Sequence, residues 1–349
     1  DEIRFNNWDI IAGIRYDANN IDAYDSDEWY DSLSIVGLGT IDKESALGKP
    51  ISKDFSNWSP SISANYKLND DVTFYGKYAR SFRAPSWEDL NSSRISLSPG
   101  FSYTTIGNPD LKEETSDNFE IGVKGRTTKS DFGLATFLNK YDNFIDKSVN
   151  KGFNDTIPYT YQPFGPPGTP QQTVNAAKYQ SVNIPETTIW GIEADYKYYF
   201  SERNKGLSVS TSASLVKGRD DTNDQNLDSV NPFTAITSLN YIFPKNNLSA
   251  SLITTYVAEP NTSQDYLNPG QRFANNVYVP DSFITTDFVL KYKPSERFIA
   301  DLGVYNLFDA TYYLWSDIRA NGITGNDDVA YQRYAQPGTS IKAGFKWRF

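Results

Sequence analysis

The last eleven residues of the chain alternate strictly between polar and apolar side chains. From Thr339 to Phe349 the sequence reads TSIKAGFKWRF, and every second residue from Ile341 onward is apolar. This period of two indicates a β-strand whose two faces meet different surroundings. In a soluble sandwich the apolar face packs against a second sheet, whereas in a membrane barrel it faces lipid and the polar face lines the lumen. We predict the barrel, because the aromatic residues Phe345, Trp347 and Phe349 crowd the end of the strand, where a membrane interface would lie.

Similar alternation recurs along the whole chain and predicts an all-β transmembrane antiparallel barrel of about twelve strands. The predicted strands are 8–24, 57–68, 72–81, 114–124, 131–147, 188–199, 207–217, 233–242, 248–257, 283–292, 297–306 and 339–349. Short turns alternate with long loops, which is typical of the periplasmic turns and extracellular loops of outer-membrane barrels. The longest loop, 148–186, holds several prolines and is predicted to be irregular. No domain boundary is visible within 1–349.

Composition supports the barrel and excludes several classes of function. The chain has 24 Tyr, 21 Phe and 7 Trp, which suits strands that are apolar on one face only. No window approaches 18 consecutive apolar residues, so no transmembrane helix is expected. Cys and His are absent, which removes disulfides, thiolate chemistry and imidazole bases, and we predict that the chain is not an enzyme. A net charge of −10 disfavours nucleic acid as a partner.

Three stretches of the chain carry motifs that are specific enough to compare with known families. The first reads YGKYARSFRAP at 75–85 and is followed by GNPDLKEETS at 107–116. The second is YNLFD at 305–309, and the third is the terminal strand. Together these stretches resemble motifs of TonB-dependent outer-membrane receptors. The motif residues of the first stretch are Phe82, Arg83, Ala84, Pro85, Asn108, Pro109, Asp110 and Leu111.

The resemblance implies a barrel of about 22 strands with an N-terminal plug inside its lumen. Residues 1–349 would then be the C-terminal portion of that barrel, with the plug and the first strands outside this chain. No signal peptide is visible and residue 1 is Asp, so we expect that the chain has been processed or cut. The implied partners are TonB, through a TonB box in the plug, the barrel-assembly machinery and outer-membrane lipid. Phe345, Trp347 and Phe349 resemble the C-terminal signal by which such barrels are recognised for assembly.

Within the family, the motifs and the tail YYLWSDIR at 312–319 resemble the haem and haemoglobin receptor branch. The resemblance implies import of haem from a host haemoprotein or haemophore, with no covalently bound cofactor. Receptors of that branch usually carry a haem-binding His between the two motif elements, and residues 86–106 contain none. Tyr103 is the alternative ligand, as a phenolate. A ferric siderophore or another chelate remains the alternative cargo, and a stand-alone twelve-stranded adhesin or autotransporter pore the alternative class.

Candidate ligand-binding residues lie in the long loops and at the strand ends. They are Arg80, Phe82, Arg83, Trp87, Phe101, Tyr103, Tyr159, Tyr161 and Trp315. The basic group Lys77, Arg80 and Arg83 either steers an anionic ligand or braces the acidic loop at 110–114. The aromatic residues either form a platform for ligand or pack the loops. Acidic loops, including one with Asp220 and Asp228, are either calcium sites or solvated surface.

Overall fold

A computed structural model provides the structure of the chain. It describes residues 1–23, 32–35, 39–42, 48–96, 102–161, 169–170, 172–203, 205–244, 247–262, 278–321 and 331–348. The strands are β1 (Glu2–Phe5), β2 (Trp8–Ile21), β3 (Ser32–Ile35), β4 (Gly39–Asp42), β5 (Lys53–Lys67), β6 (Val72–Arg83), β7 (Ser93–Ser96), β8 (Tyr103–Ile106), β9 (Glu114–Arg126), β10 (Ser130–Tyr161), β11 (Gln172–Tyr199), β12 (Gly206–Asp220), β13 (Gln225–Asn226), β14 (Thr234–Ile242), β15 (Leu248–Val257), β16 (Phe283–Ser295), β17 (Phe298–Tyr305) and β18 (Ser340–Trp347). Two short helices, α1 (Trp87–Asn91) and α2 (Trp315–Asn321), lie in long connections.

Thirteen strands form one continuous wall. Their order is β1-β2-β5-β6-β9-β10-β11-β12-β14-β15-β16-β17-β18, and each pairs antiparallel with its neighbours in that order. Outside this path, β13 pairs with β12, the β7–β8 hairpin joins β11 through β8, and β3 and β4 form a separate pair. The connections after β5, β9, β11, β14 and β16 are short, whereas those after β2, β6, β12, β15 and β17 are long. All the long connections therefore leave the wall at one rim, as predicted.

The apolar face of the wall is exposed. On β18 the exposed fractions are 71% for Ile341, 80% for Phe345 and 57% for Trp347, and Ile121 on β9 is 64% exposed. A soluble sandwich would bury these side chains beneath a second sheet, so the exposure supports the transmembrane interpretation. Among the described residues, no helix is both long and apolar enough to cross a membrane.

Two bands of aromatic residues border the apolar face. On three strands a Trp and a Tyr lie eight positions apart: Trp8 and Tyr16 on β2, Trp58 and Tyr66 on β5, and Trp190 and Tyr198 on β11. Neighbouring strands bring them together, with ring centroids 4.8 Å apart for Trp8–Tyr66 and 4.9 Å for Tyr16–Trp58. Eight residues cover about 26 Å along a strand and, at a tilt near 40°, about 20 Å across the membrane. These bands match the two interfacial girdles of an outer-membrane barrel.

The opposite face of the wall is polar. Glu193, Asp195 and Lys197 on β11 stand opposite serines of β12, with Asp195 paired to Ser212 in the register. Their outward neighbours on β11 are Ile192, Ala194 and Tyr196. The charged row therefore faces the lumen, as the alternation predicts.

The structure extends one prediction of the sequence analysis and corrects another. Within the described residues the wall has thirteen strands, the twelve predicted and an additional strand, Glu2–Phe5, against β2. The predicted irregular loop 148–186 is largely a long hairpin in which β10 and β11 continue well beyond the other strands. Three register shifts, the last between Asn154 and Pro158, allow the ladder to continue through residues that disfavour it.

The path of the wall is open. β1 pairs only with β2 and β18 only with β17 among the residues that the structure describes. A stand-alone barrel of these strands would require those two ends to pair with each other. The sheet thus has two free ends available for further strands.

Candidate functional site

The two elements of the sequence motif at 82–85 and 108–111 come together at the rim. Leu111 is fully buried against Leu90 of α1 and Phe55 of β5, and Phe82 and Ala84 pack against this cluster. Burial of one Leu-sized side chain stabilises a fold by about 1.5–3 kcal/mol, so this cluster holds the loop after β6 against the wall.

Helix α1 begins with a capping box. The Ser86 backbone N–H and hydroxyl donate to Asp89 Oδ2 at 2.9 and 2.6 Å, and the Asp89 N–H donates to Ser86 Oγ at 3.2 Å. Asp89 also accepts a hydrogen bond from Ser181 of β11 at 2.9 Å and lies 3.7 Å from the Lys147 ammonium. Burial would raise the pKa of Asp89, but these hydrogen bonds and Lys147 outweigh it, so the pKa is lowered. The contribution of Asp89 to stability is therefore present above its unfolded pKa and is lost as the pH falls through the lowered value.

An ion pair joins the end of β6 to the start of β9. Arg83 donates to both oxygens of the Glu114 carboxylate, at 3.1 and 2.5 Å, and to the carbonyl of Ile145 at 3.2 Å. The same carboxylate accepts the backbone N–H of Ile145 at 2.9 Å. Glu114 is 8% exposed, so its charge depends on these partners. The geometry supports the bracing role for Arg83, and Glu114 is the residue of the acidic loop that it braces.

Amide side chains tie the second motif element to the long hairpin. Asn108 Nδ2 donates to the Ser181 carbonyl at 2.9 Å, and Gln180 Nε2 donates to the Gly107 carbonyl at 2.8 Å. Lys53 Nζ donates to the carbonyls of Pro109 and Leu111 at 2.8 and 2.7 Å. We call this assembly of residues 82–91 and 107–114 with β5, β10 and β11 the rim clamp.

Gly107 is required at the centre of the rim clamp, and replacing it by Ala should undock the loop. A Cβ there would lie 2.1 Å from the Leu90 carbonyl oxygen, which is backbone and cannot rotate away. We expect Gly107→Ala to cost about 1–3 kcal/mol locally and to accelerate hydrogen exchange across 84–113. Gly76→Ala is the matched control, since its Cβ would meet no atom closer than 3.8 Å. Unchanged exchange in Gly107→Ala would contradict the assignment.

The predicted ligand-binding residues occupy different places around the rim. Arg80 lies 3.8 Å from Asp117, Trp87 is exposed on α1, and the Tyr103 ring meets Tyr179 edge-on with centroids 6.2 Å apart. Phe82 and Arg83 belong to the rim clamp. Tyr159 and Tyr161 lie in the distal part of β10, Trp315 begins α2, and Phe101 lies outside the described residues, as does Phe349 of the assembly signal.

The NLFD motif forms a turn that returns the chain to β18. Asn306 and Asp309 both have positive φ, of 51° and 56°, which Asn and Asp tolerate better than most residues. The Asn306 side chain exchanges hydrogen bonds with Ala310, at 2.9 and 2.8 Å. Asp309 accepts the Thr339 N–H at 2.8 Å. This motif therefore has a structural role at the rim.

A second group of loop contacts was not predicted. Tyr278 stacks on Tyr331 with centroids 4.2 Å apart, and both rings meet Tyr313 edge-on. Nearby, the Trp315 indole N–H donates to the Asp228 carbonyl at 2.9 Å. These contacts join the loops after β12, β15 and β17. Their residues are far apart in sequence and follow no period, so no local pattern indicates that they meet.

The acidic loop after β12 uses much of its charge internally. Asp220 accepts the N–H groups of Thr222 and Asn223 at 2.9 and 3.0 Å, and Asp224 pairs with Arg219. Asp228 stands apart from them beside Trp315. Among the described residues, no group of three or more acidic side chains has the arrangement of a metal site.

Comparison with known proteins identifies relatives of this wall. The family described as TonB dependent receptor-like, beta-barrel matches residues 1–307. The "Probable hemoglobin and hemoglobin-haptoglobin-binding protein 4" of Haemophilus influenzae is 26% identical over 306 residues, covering 83% of this chain and 29% of that protein. The "Ferric enterobactin receptor" of Pseudomonas aeruginosa is 27% identical, covering 83% of this chain and 38% of that protein. Among solved structures, the "Copper transporter OprC" matches 98% of this chain and 46% of its own, with a TM-score of 0.71 at 16% identity. The chain thus spans less than half the length of each of these relatives.

Proposed function

Because this chain belongs to the TonB-dependent receptor β-barrel family, we propose that it forms the C-terminal part of the barrel and of the ligand-binding rim of an active transporter. Members of the family are integral outer-membrane proteins, and the exposed apolar face between two aromatic bands fits this location. The observation that carries the proposal is that every long connection leaves the wall at the rim where the motif residues assemble into a clamp. Such loops, held on a rigid wall, are where ligands bind.

The rest of the transporter would lie outside this chain. The unpaired ends of the wall at β1 and β18 would pair with further strands, which fits the smaller share of each relative that the chain covers. A plug inside the completed barrel would contact the polar lumen and would connect the transporter to TonB. The barrel-assembly machinery would recognise the end of β18, and lipid would surround the apolar face.

Haem from a host haemoprotein is the cargo that we propose first. The Haemophilus influenzae relative is named for haemoglobin binding, and four further relatives carry haemoglobin in their names. With no His in this chain, a haem iron held by these residues would take a tyrosine phenolate, and Tyr103 is the candidate on the rim. Arg80 and the exposed Trp87 would supply charge and apolar surface for the anionic, planar ligand. The remaining candidates are Phe82, Arg83, Phe101, Tyr159, Tyr161 and Trp315.

A ferric siderophore is the second candidate cargo. The ferric enterobactin receptor is as similar to this chain as the haemoglobin-binding relative, at 27% against 26% identity. A ferric catecholate is also anionic and aromatic, so the same rim residues suit it. The two cargoes differ in whether an axial ligand from the protein is needed.

Titration of the complete purified receptor with haem separates these cargoes. We expect a shift of the Soret band on binding, and Tyr103→Phe, which removes only the hydroxyl, should alter that spectrum and weaken binding by about tenfold. Tyr179→Phe is the matched control, because Tyr179 is the edge-on neighbour of Tyr103. If neither a Soret change nor haem-dependent growth is found, while a ferric siderophore binds, the haem proposal is wrong.

A further inference from the structure

A cavity at the rim lies between the loop after β12 and helix α2. Its volume is about 120 Å³, and its lining includes Lys217, Asp228, Phe233, Glu259 and Trp315. This is space for several water molecules or for a small charged group. The cavity lies apart from the rim clamp and shares none of its residues.

Trp315 fixes the position of Asp228 in this cavity. Its indole N–H donates to the Asp228 carbonyl at 2.9 Å, and the Trp315 side chain is 6% exposed. Leu227, which precedes Asp228, and Ile318, which follows Trp315 by three residues on α2, are also buried, at 2% and 0% exposed. The contact therefore holds the backbone of Asp228 through its carbonyl and does not use its carboxylate.

The Asp228 carboxylate has an unsatisfied oxygen. Its Oδ1 atom is buried and has no hydrogen-bond partner among the described residues. The charged groups around it are Arg319 of α2, which favours the carboxylate, and Asp146 of β10, which opposes it, with Lys217 and Glu259 also lining the cavity. Burial raises the pKa of Asp228 to about 6. At neutral pH this half-buried carboxylate is therefore mostly ionised, and its Oδ1 atom, which meets no donor among the described residues, lowers the stability of the fold.

We propose that this cavity binds an organic cation, a guanidinium or ammonium group, through the Asp228 carboxylate. A cationic N–H donor in the cavity would pair with the Asp228 carboxylate and neutralise its charge. The aromatic rings of Trp315 and Phe233 line the same cavity, and aromatic faces attract organic cations. The net charge of −10 adds a long-range attraction for cations. The cavity shares only Trp315 with the candidates for cargo binding, and its test uses no cargo, so the failure of one proposal is distinguishable from the failure of the other.

The test uses the complete receptor and two ligands that differ only in charge. N-acetyl-arginine amide and the neutral N-acetyl-citrulline amide are titrated at pH 7.5 and followed by saturation-transfer NMR. We expect a preference of about tenfold for arginine, because a charge-assisted hydrogen bond is replaced by a neutral one. Asp228→Asn should abolish the preference, and Asp221→Asn in the same loop should keep it. Lowering the pH to 5 should reduce arginine binding by about tenfold, since the carboxyl is then mostly protonated.

Two further arms identify the source of the cation. Binding of methylguanidinium alone supports a free small molecule as the ligand, whereas binding of a small folded protein with one surface arginine supports a basic side chain of a partner. Equal binding of arginine and citrulline amides, or a preference that survives Asp228→Asn, overturns the proposal. A third result also overturns it: the unmodified receptor does not bind the arginine probe, whereas the Arg319→Gln variant does. In that case the Arg319 guanidinium itself occupies the cavity.

Discussion

An arginine at Ala213 should destabilise the barrel by about 2–4 kcal/mol, or roughly 30- to 1000-fold in the folding equilibrium. Ala213 lies on the outward face of β12, paired with Ala194 and Ala235. Its position is midway between Val209, opposite Tyr198, and Lys217, opposite Trp190. The charge would therefore enter the middle of the lipid-facing band, where no acid is paired with it. Urea unfolding of the receptor refolded into lipid vesicles measures the cost.

The adjacent residue provides the control. Ser212 faces the lumen on the same strand and stands opposite Asp195. Ser212→Arg introduces the same side chain at the same depth with an acid as its neighbour, so we expect a change below about 1 kcal/mol. If both variants lose the same stability, the faces of β12 are not divided between lipid and lumen.

Replacing Arg83 by Gln should weaken the rim clamp by about 3 kcal/mol. The change leaves the Glu114 carboxylate buried without its cation, and breaking a buried pair from one side commonly costs about 3–5 kcal/mol. We take the lower end of that range because the Arg83 side chain is 42% exposed. Hydrogen exchange at Ile145, whose N–H binds the same carboxylate, measures the loss.

Two variants distinguish the clamp from a general effect of charge. Arg80→Gln removes a pair with Asp117 that is 3.8 Å long and about one-third exposed on both sides, so we expect less than about 1 kcal/mol. The double variant Arg83→Leu with Glu114→Leu should recover much of the loss, since no buried charge remains. If Arg83→Gln weakens cargo binding but does not accelerate hydrogen exchange at Ile145, Arg83 contacts the ligand and does not brace the clamp.

The wall strands were predictable because lipid and lumen impose a period of two on each of them. The predicted strand 188–199 contains the clean alternation from Trp190 to Tyr198, and it falls wholly within β11. The same strand also shows where this reasoning ends, since β11 begins at Gln172. Beyond the membrane both faces meet water and other loops, and register shifts interrupt the alternation, so the pattern disappears while the hydrogen-bond ladder continues.

The rim was predictable only as a set of motifs. The sequence marks Phe82–Pro85 and Asn108–Leu111 as belonging together, but not that they enclose Phe55 and reach Ser181. Contacts such as Trp315 with Asp228 join residues 87 positions apart, and no local property of either residue specifies the other. Aromatic residues in loops can either pack against other loops or bind ligand. The sequence alone therefore does not distinguish Trp87, which is exposed, from Trp315, which is buried.

The spacing of the two aromatic bands sets the bilayer thickness that matches the apolar face of this wall. An apolar height of about 20 Å is shorter than the roughly 30 Å hydrocarbon core of an average membrane. A bilayer of phospholipids with short acyl chains matches this height. A bilayer with longer chains must become thinner around the protein or place polar side chains within its hydrocarbon core. The distance between Trp8 and Tyr16, eight residues apart on one strand, thus indicates which lipids are suited to reconstitution. It also indicates that the protein matches a membrane thinner than average.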